Sequence, residues 1–179
     1  MIARLARLFA ALVLVALIGA AALLWWPAPV PDRPAGPALS GPVDLILIEK
    51  SARRLTLFQQ GQPVRQWSVA LGFAPEGDKA RQGDGRTPEG LFRIDRRNDR
   101  SAYHLSLGLD YPQPEDIARA RAEGQDPGGD IMIHGQPNAL PETLRMKGDW
   151  TAGCIALSNA QMREIWDHTP IGTRVEIRP

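Results

Sequence analysis

Close to the amino terminus lies an uncharged, largely apolar stretch of 19 residues, Leu8–Trp26. As a helix this stretch spans about 28 Å, close to the hydrocarbon core of a bilayer at roughly 30 Å. Arg4 and Arg7 precede it and favour a cytoplasmic amino terminus, while the Trp-Trp pair at its end suits the opposite interface. The pattern predicts a transmembrane anchor over residues 1–26.

A cleaved signal peptide is the alternative interpretation of the same segment. Ala20 and Ala22 could form a small-residue cleavage site. Cleavage there would leave a very apolar new terminus beginning at Leu23, and the apolar run exceeds the usual length for a signal peptide, so the anchor is favoured. Under either interpretation the rest of the chain is exported.

Residues 27–42 contain six prolines and no periodic apolar pattern. Such a composition predicts a semi-rigid, extended linker. The remaining segment, residues 43–179, is 137 residues long and large enough for one hydrophobic core. We therefore predict one folded domain that follows an anchor and a linker.

The charges exclude one class of partner. The chain has 21 basic and 20 acidic residues and no basic stripe with interleaved aromatics, so no nucleic-acid partner is predicted. The three histidines lack the spacing of zinc ligands. We predict no metal and no cofactor.

The sequence pattern of residues 43–179 predicts more strands than helices. Helices are predicted at 114–124, where Pro114 suits the first turn, and at 158–168, where Ser158 and Gln161 have the spacing of a capping box. Short apolar or alternating runs predict strands at 43–50, 53–59, 63–71, 91–94, 105–109, 131–133 and 173–177. Closely spaced strands favour antiparallel or mixed pairing, and the pattern predicts a β-rich α+β fold.

The only cysteine of the chain, Cys154, directly follows Gly153 in a turn-like segment. A solitary thiol in an exported domain is either an inert core residue or a reactive group. His134 ends a predicted strand 20 residues earlier and is a candidate base for the thiol. In that arrangement the carbonyl of Gly135 would orient the imidazole. Gly153 would let the backbone approach a substrate carbonyl closely, so that the amides around Cys154 could donate to an oxyanion.

At these residues the sequence resembles the L,D-transpeptidase (YkuD-type) catalytic domain family. The resemblance is carried by "IMIHGQ" and "WTAGCIALS", with "GDGRTPEGLFRI" and "SAYHLSLGLDYP" between the opening strands and the cysteine. It implies a mixed β sandwich with two packed helices, preceded here by the N-terminal transmembrane helix. It also implies that Cys154 is the nucleophile, His134 the base, Gly135 the orienting carbonyl and Gly153 an oxyanion amide.

The resemblance further implies a substrate and a location. Family members cut the bond after diaminopimelate in a peptidoglycan stem and pass the acyl group to an amine or to water, without a cofactor. The expected location is the periplasm of a Gram-negative type of envelope, on an inner-membrane anchor. Six residues are candidates for substrate binding: Arg86, Tyr103, Gln136, Asp149, Trp150 and Thr151.

The sequence departs from the common family pattern at two positions. Ala156 stands where many members have an arginine two residues after the cysteine, and Gln136 stands where many have serine or threonine. The "DWTAGCIALSN" form is closer to a subgroup associated with releasing wall-bound partners, such as a lipoprotein. Hydrolysis or release is therefore favoured over cross-linking or lipoprotein attachment. A third possibility is an inactive wall-binding module.

Overall fold

The computed structural model describes residues 2–25, 28–29 and 39–179 of the chain. Helix α1 is Ile2–Trp25. Within the described ranges no helix is both long and apolar enough to cross a membrane, so the predicted transmembrane helix is without support from the structure. Most of the predicted linker, residues 27–42, lies outside the described residues.

Eight strands of residues 43–179 form one mixed sheet. They are β2 (Leu45–Glu49), β3 (Arg54–Gln59), β4 (Gln62–Ser68), β5 (Gly90–Ser101), β6 (His104–Leu109), β7 (Met132–His134), β9 (Ile155–Ala156) and β10 (Arg174–Arg178). Their order across the sheet is β4-β3-β2-β10-β5-β6-β7-β9. The pairs β10–β2 and β7–β9 are parallel and the others antiparallel, which confirms the predicted mixed pairing. Two further strands, β1 (Ala28–Pro29) and β8 (Leu144–Arg145), pair with each other.

Strand β5 bends the sheet into a half-barrel. Its first four residues pair with β10, and its remainder, from Ile94 onward, pairs with β6 past two irregularities in register. The curl brings the opposite edges of the sheet together, because Ala70 and Ala156 exchange backbone hydrogen bonds of 3.0 and 2.8 Å. The predicted sandwich is therefore a single curled sheet whose two halves share β5.

The two predicted helices of the domain are present. Helix α2 is Pro114–Ala122, and its proline lies in the first turn as expected. Helix α3 is Asn159–His168, and Ser158 and Gln161 form the predicted capping box. The side chain of Ser158 accepts from the Gln161 amide, and the Gln161 side chain accepts from the Ser158 amide. Both helix boundaries follow from local chemistry.

Two strands of the eight-stranded sheet differ from the sequence prediction, and the short strands β1 and β8 were not predicted either. Strand β5 continues through the charged residues after Ile94, where the apolar pattern that predicted it ends. Strand β9 was not predicted, because two residues carry no periodicity. It forms because β7 on one side and Ala70 on the other supply backbone partners to the segment after Cys154.

Apolar side chains from both halves of the curled sheet make one continuous core. The members with the least exposure include Ile46, Ile48, Leu55, Leu57, Leu71, Ile94, Leu107, Leu109, Ile133, Ile155, Leu157 and Met162. Ile133 and Ile155 belong to β7 and β9 and are fully buried. These two core residues therefore fix β7 and β9, the strands that carry the candidate site.

Candidate active site

The parallel pairing of β7 with β9 brings the candidate base and nucleophile onto neighbouring strands. Ile133 pairs with Ile155 and His134 with Ala156. The same register extended one residue back sets Cys154 opposite Met132. Residues two apart share a face of a strand, so Cys154 and His134 face the same side, with their Cα atoms roughly 8 Å apart along the diagonal. The sequence predicted that the two side chains meet, but it did not predict this register.

The ring of His134 is held in one tautomer. Its Nδ1 lies 2.7 Å from the carbonyl oxygen of Gly135, and since a carbonyl only accepts, Nδ1 carries the proton. The lone pair is therefore on Nε2, which is the state required of a base. The imidazole is 4% exposed, and burial lowers the pKa of His134, with the Gly135 bond opposing that effect. The ring is neutral near pH 7.

The thiol of Cys154 lies among backbone atoms. Its Sγ donates to the carbonyl oxygen of Asp130 at 3.4 Å. Burial raises the pKa of the thiol, the backbone amide of Met132 lowers it by a smaller amount, and the Asp130 carboxylate raises it further. The resting pair is thus a neutral thiol and a neutral imidazole, and proton transfer must accompany attack.

The turn before the thiol is shaped by Thr151. Its Oγ1 donates to the carbonyl of Cys154 at 2.7 Å and accepts from the amide of Gly153 at 3.1 Å. The amide of Gly153 thus already has an acceptor within the turn, and its oxyanion role stays a prediction. Thr151, predicted to bind substrate, is buried and holds the turn instead. Among the described residues the amide of Cys154 itself has no acceptor.

Gly153 is required for a different reason. Its φ is +142°, and a Cβ built there would lie 2.7 Å from the carbonyl oxygen of Arg86. Gly135 is confined as well, because a Cβ there would lie 2.6 Å from Oδ1 of Asn159. Both glycines therefore permit close approach of the strands that carry Cys154 and His134.

Two aromatic residues predicted to bind substrate surround His134. The Tyr103 ring lies 4.6 Å from the imidazole, and the Trp150 ring lies 5.7 Å from it, centroid to centroid. Tyr103 is 40% exposed, so it offers a face to solvent at the site. The indole Nε1 of Trp150 is buried and has no hydrogen-bond partner among the described residues. These two side chains form an aromatic wall beside the candidate base.

Three other predicted substrate-binding residues make internal contacts. Gln136 is 3% exposed, and its amide group donates to the Leu157 carbonyl and accepts from the Met146 amide. The carboxylate of Asp149 accepts from the Arg53 guanidinium and from the Leu71 amide, and so anchors the nucleophile loop. The prediction of substrate contact is not supported for either residue, because both ends of each polar group are already bonded.

Arg86, the third of these residues, bonds within its own loop. Its Nη1 donates to the carbonyl of Asp78 at 3.1 Å, within the loop between β4 and β5. Its backbone carbonyl, rather than its guanidinium, packs against Gly153. Arg86 therefore shapes the nucleophile turn and is not positioned by this contact to hold a substrate carboxylate.

A cavity of about 340 Å³ lies beside Ala156, and we call it the Ala156 cavity. Its walls are the segments 68–70, 145–149 and 156–158, together with Arg53 and Gln136. It borders the nucleophile strand two residues beyond Cys154 but is not lined by Cys154 or His134. The position where the sequence lacks an arginine therefore faces open space.

Sequence reasoning missed several residues that build the site. Asp130 and Met132 act through backbone atoms, which no side-chain motif reveals. Asn159 accepts from the Gln136 amide and limits the space at Gly135. The basic residues of "RMKG", which line the Ala156 cavity, are the one signal that the sequence did contain.

Residues 43–177 match the YkuD family, described as the L,D-transpeptidase catalytic domain. YafK of Escherichia coli (strain K12), named as a candidate L,D-transpeptidase, is 28% identical over 134 residues, which are 72% of this chain and 48% of YafK. The chain thus spans about half the length of the curated relatives that it matches.

Solved structures share the fold. The helical cell shape determining protein Pgp2 from Campylobacter jejuni aligns with a TM-score of 0.59 and 24% identity, over 82% of this chain and 51% of Pgp2. Bd1075 from Bdellovibrio bacteriovorus aligns with a TM-score of 0.54 and 24% identity, over 86% of this chain and 53% of Bd1075. At these identities the likeness is one of fold.

Proposed function

The chain belongs to the YkuD family of L,D-transpeptidase catalytic domains, and from that premise we propose that it is a cysteine acyl-enzyme of peptidoglycan stem peptides. The substrate class is the peptide bond that follows diaminopimelate, and water is the favoured acyl acceptor. The observation that carries the proposal is the pairing of β7 with β9, which sets Cys154 and a tautomerically fixed His134 on one face. An inactive module would not need that arrangement.

The proposed reaction begins from the neutral pair. Nε2 of His134 takes the thiol proton as Sγ of Cys154 attacks the carbonyl carbon on the diaminopimelate side. The amide of Cys154 donates to the oxyanion that develops. The carbon–nitrogen bond then breaks, the leaving amine takes the proton from the imidazolium, and a thioester remains.

Water completes the cycle in the favoured version. Nε2 of His134 takes a proton from water, the hydroxide oxygen bonds to the thioester carbon, and the carbon–sulfur bond breaks. The proton returns to the sulfur, so the enzyme ends unchanged, and the product is a carboxylic acid that ionises by losing its proton to solvent. Transfer to an amine, as in cross-linking or lipoprotein attachment, would use the same thioester and is the second candidate.

A muropeptide assay tests the proposal. The full chain is incubated with stem tetrapeptide muropeptides and with muropeptides that carry a peptide on diaminopimelate, with and without a D-amino acid, and the products are measured by mass spectrometry. We expect loss or release of the group after diaminopimelate, and none with Cys154→Ala. Diaminopimelate–diaminopimelate cross-links or D-amino acid exchange as main products would contradict hydrolysis.

The inactive alternative is tested separately. A carbapenem-type acylating reagent should add its mass to the wild-type chain and not to Cys154→Ala. An unlabelled wild-type chain that also leaves every muropeptide intact would favour a wall-binding module.

Extracytoplasmic action is part of the proposal, because peptidoglycan lies outside the cytoplasm. The support for it is the sequence pattern at the amino terminus, in which two arginines precede the apolar stretch Leu8–Trp26. We propose that this segment exports the domain, either as a retained anchor or as a removed signal peptide, and that a wall-linked lipoprotein is one partner that the enzyme could release.

A further inference from the structure

We propose that Asn138 is a positioning residue for the candidate base, an inference that rests on the proposed function. Asn138 joins the segment after His134 to the turn between β5 and β6, residues 101–104, which we call the Tyr103 turn. The turn in its place holds the Tyr103 ring against the imidazole. Through the turn, Asn138 keeps His134 oriented and shielded from water.

Asn138 binds three of the four residues of the Tyr103 turn. Its backbone amide donates to the carbonyl oxygen of Ala102 at 3.0 Å, its Nδ2 donates to the carbonyl oxygen of Ser101 at 2.9 Å, and its Oδ1 accepts from the amide of His104 at 2.7 Å. A carboxamide offers both a donor and an acceptor on one short side chain. Alanine at this position would keep the first bond and lose the other two.

The Tyr103 turn has a backbone conformation that depends on such bonds. His104 has a φ of +69°, in the left-handed region that residues other than glycine rarely adopt. Such a conformation persists where the surrounding structure fixes it. Within the turn, Oγ of Ser101 accepts from the amide of Tyr103 at 3.0 Å. The carboxamide of Asn138 adds the bond to the residue that directly follows Tyr103.

The turn acts on His134 in two ways. The carbonyl oxygen of Tyr103 accepts from the amide of Gly135 at 3.0 Å, and Gly135 is the residue whose own carbonyl holds Nδ1 of the imidazole. The Tyr103 ring lies 4.6 Å from the imidazole, centroid to centroid. The backbone of the turn therefore supports the residue that orients the base, while the ring covers the base.

Shielding by the ring has a measurable consequence. Burial lowers the pKa of His134 from its ordinary value of 6.5, so loss of the cover should let this pKa rise toward 6.5. Because the neutral imidazole is the active base, the acidic inflection of kcat/KM should move to higher pH with it. A contact that only stabilised the hairpin would leave the inflection where it is.

A second histidine must be separated from His134 in this test. Besides Tyr103, the ionisable groups on the turn and on the segments around His134 are His104, Asp130, Glu142, Asp149, Cys154 and Arg163. The pKa of His104 is also lowered, by burial first and then by the charge of Arg163, while Glu142 raises it. His104→Asn, which suits a left-handed backbone, should leave the inflection in place. An inflection that disappeared in this variant would belong to His104 and would overturn the proposal.

The test is the pH dependence of muropeptide hydrolysis by the full chain. Asn138→Ala and Tyr103→Ala should each move the inflection of kcat/KM toward 6.5, whereas Tyr103→Phe, which keeps the ring, should retain the wild-type inflection. Asn138→Ala should also lower kcat by up to about 10²-fold, because the imidazole is less well oriented. The double variant of Asn138→Ala and Tyr103→Ala should show no further shift, because Asn138 shields the base only through the ring.

Asn98→Ala is the matched control. Asn98 is exposed on the same hairpin, and its Oδ1 accepts from the amide of Arg100 at 2.9 Å, so the variant loses a side-chain bond without touching the Tyr103 turn. Its pH profile should be that of the wild type. If Asn138→Ala does not fold, Asn138→Ser, which cannot make both side-chain bonds, gives the same readout. A wild-type inflection in the Asn138 variant, or a double variant whose shift equals the sum of the single shifts, would overturn the proposal.

An NMR titration separates failure of this inference from failure of the proposed function. The imidazole of His134 is followed in the free full chain, with its signal assigned from His134→Ala, so no turnover is required. We expect a lowered pKa in the wild type and a value closer to 6.5 in Asn138→Ala. If the wild-type chain hydrolyses no muropeptide, the proposed function fails, while this titration still supports or overturns the role of Asn138.

Discussion

At the scale of single residues, the site is governed by burial rather than by charge. The imidazole of His134 and the thiol of Cys154 are both shielded, and burial moves the pKa of each toward its neutral form. A histidine that activated the thiol in advance would lower the pKa of Cys154. In the structure burial raises that pKa, and the charges of Lys79 and Arg96 lower it by less.

The first prediction concerns the reactivity of this thiol. Because burial raises the pKa of Cys154 above its ordinary value of 9.0, the rate of alkylation by iodoacetamide should rise with an inflection above that value. At pH 7 the rate should be below that of a free cysteine. The measurement is the alkylation rate by mass spectrometry across pH 6–11.

The role of the base is checked in the same protein. His134→Ala should slow acylation by a muropeptide or a carbapenem about 10²- to 10⁴-fold at neutral pH, as expected for loss of a general base. The buried His134 has a lowered pKa, so activity should persist below pH 6.5 before the imidazole gains a proton. His168→Ala is the control, and an alkylation inflection below the free-thiol value would instead indicate a preformed ion pair.

At the scale of elements, the loop between β4 and β5 is a folded unit in its own right. Nζ of Lys79 lies 2.8 Å from Oδ1 of Asp84, and both side chains are almost fully buried. Asp84 also accepts from three backbone amides of the loop. This network holds the loop segment that contains Arg86. Because the carbonyl of Arg86 packs against Gly153, the network also supports the turn before Cys154.

The second prediction concerns the pH dependence of this loop. Burial would raise the pKa of Asp84, but its bonds to Lys79 and to backbone amides outweigh burial and lower it to about 2. Because the folded value is below the unfolded one, the carboxylate stabilises the fold fully above about pH 4. That stabilisation is lost as the pH falls through 2.

Urea unfolding of Asp84→Asn measures this contribution. At pH 7 we expect a free energy of unfolding about 1–3 kcal/mol below the wild-type value. The difference should shrink steadily between pH 4 and pH 2. Asp99→Asn, at an exposed position, should show neither effect. A loss of stability that is the same at pH 7 and pH 2 would mean that the charge of Asp84 does not matter.

At the scale of the whole molecule, the curled sheet and the amino-terminal segment determine what the enzyme can reach. The meeting of the sheet edges at Ala70 and Ala156 forms one wall of the Ala156 cavity, which neither half of the sheet could form alone. An extended linker of 16 residues would reach roughly 50 Å at about 3.1 Å per residue. An anchored domain would therefore act on wall close to the membrane.

The third prediction concerns the fate of the amino terminus. If residues 1–26 are retained as an anchor, the full chain should sediment with membranes and its intact mass should include Met1–Trp26. Cell fractionation followed by mass spectrometry makes the measurement. A soluble extracytoplasmic form that begins near Leu23 would show instead that the segment is a signal peptide.

Local patterns in the sequence were sufficient for most of the secondary structure and for the choice of a candidate reactive pair. The capping box at Ser158, the proline at the start of α2 and the alternation in β3 and β4 each act within a few residues, so they can be predicted without the fold. Cys154 and His134 were chosen by their types and by the motifs around them, and their catalytic roles stay predictions.

The tertiary structure decided everything that depends on residues distant in the chain. The pairing of β7 with β9 across 20 residues, the bonding of Gln136 and Asp149, and the cations around Ala156 all arise when separate segments meet. The same is true of the pKa of Cys154, since burial is a property of the packed sheet and not of a motif. A motif indicates which side chains are candidates for reaction. The packed structure determines how far each of them is exposed to solvent and which groups it contacts.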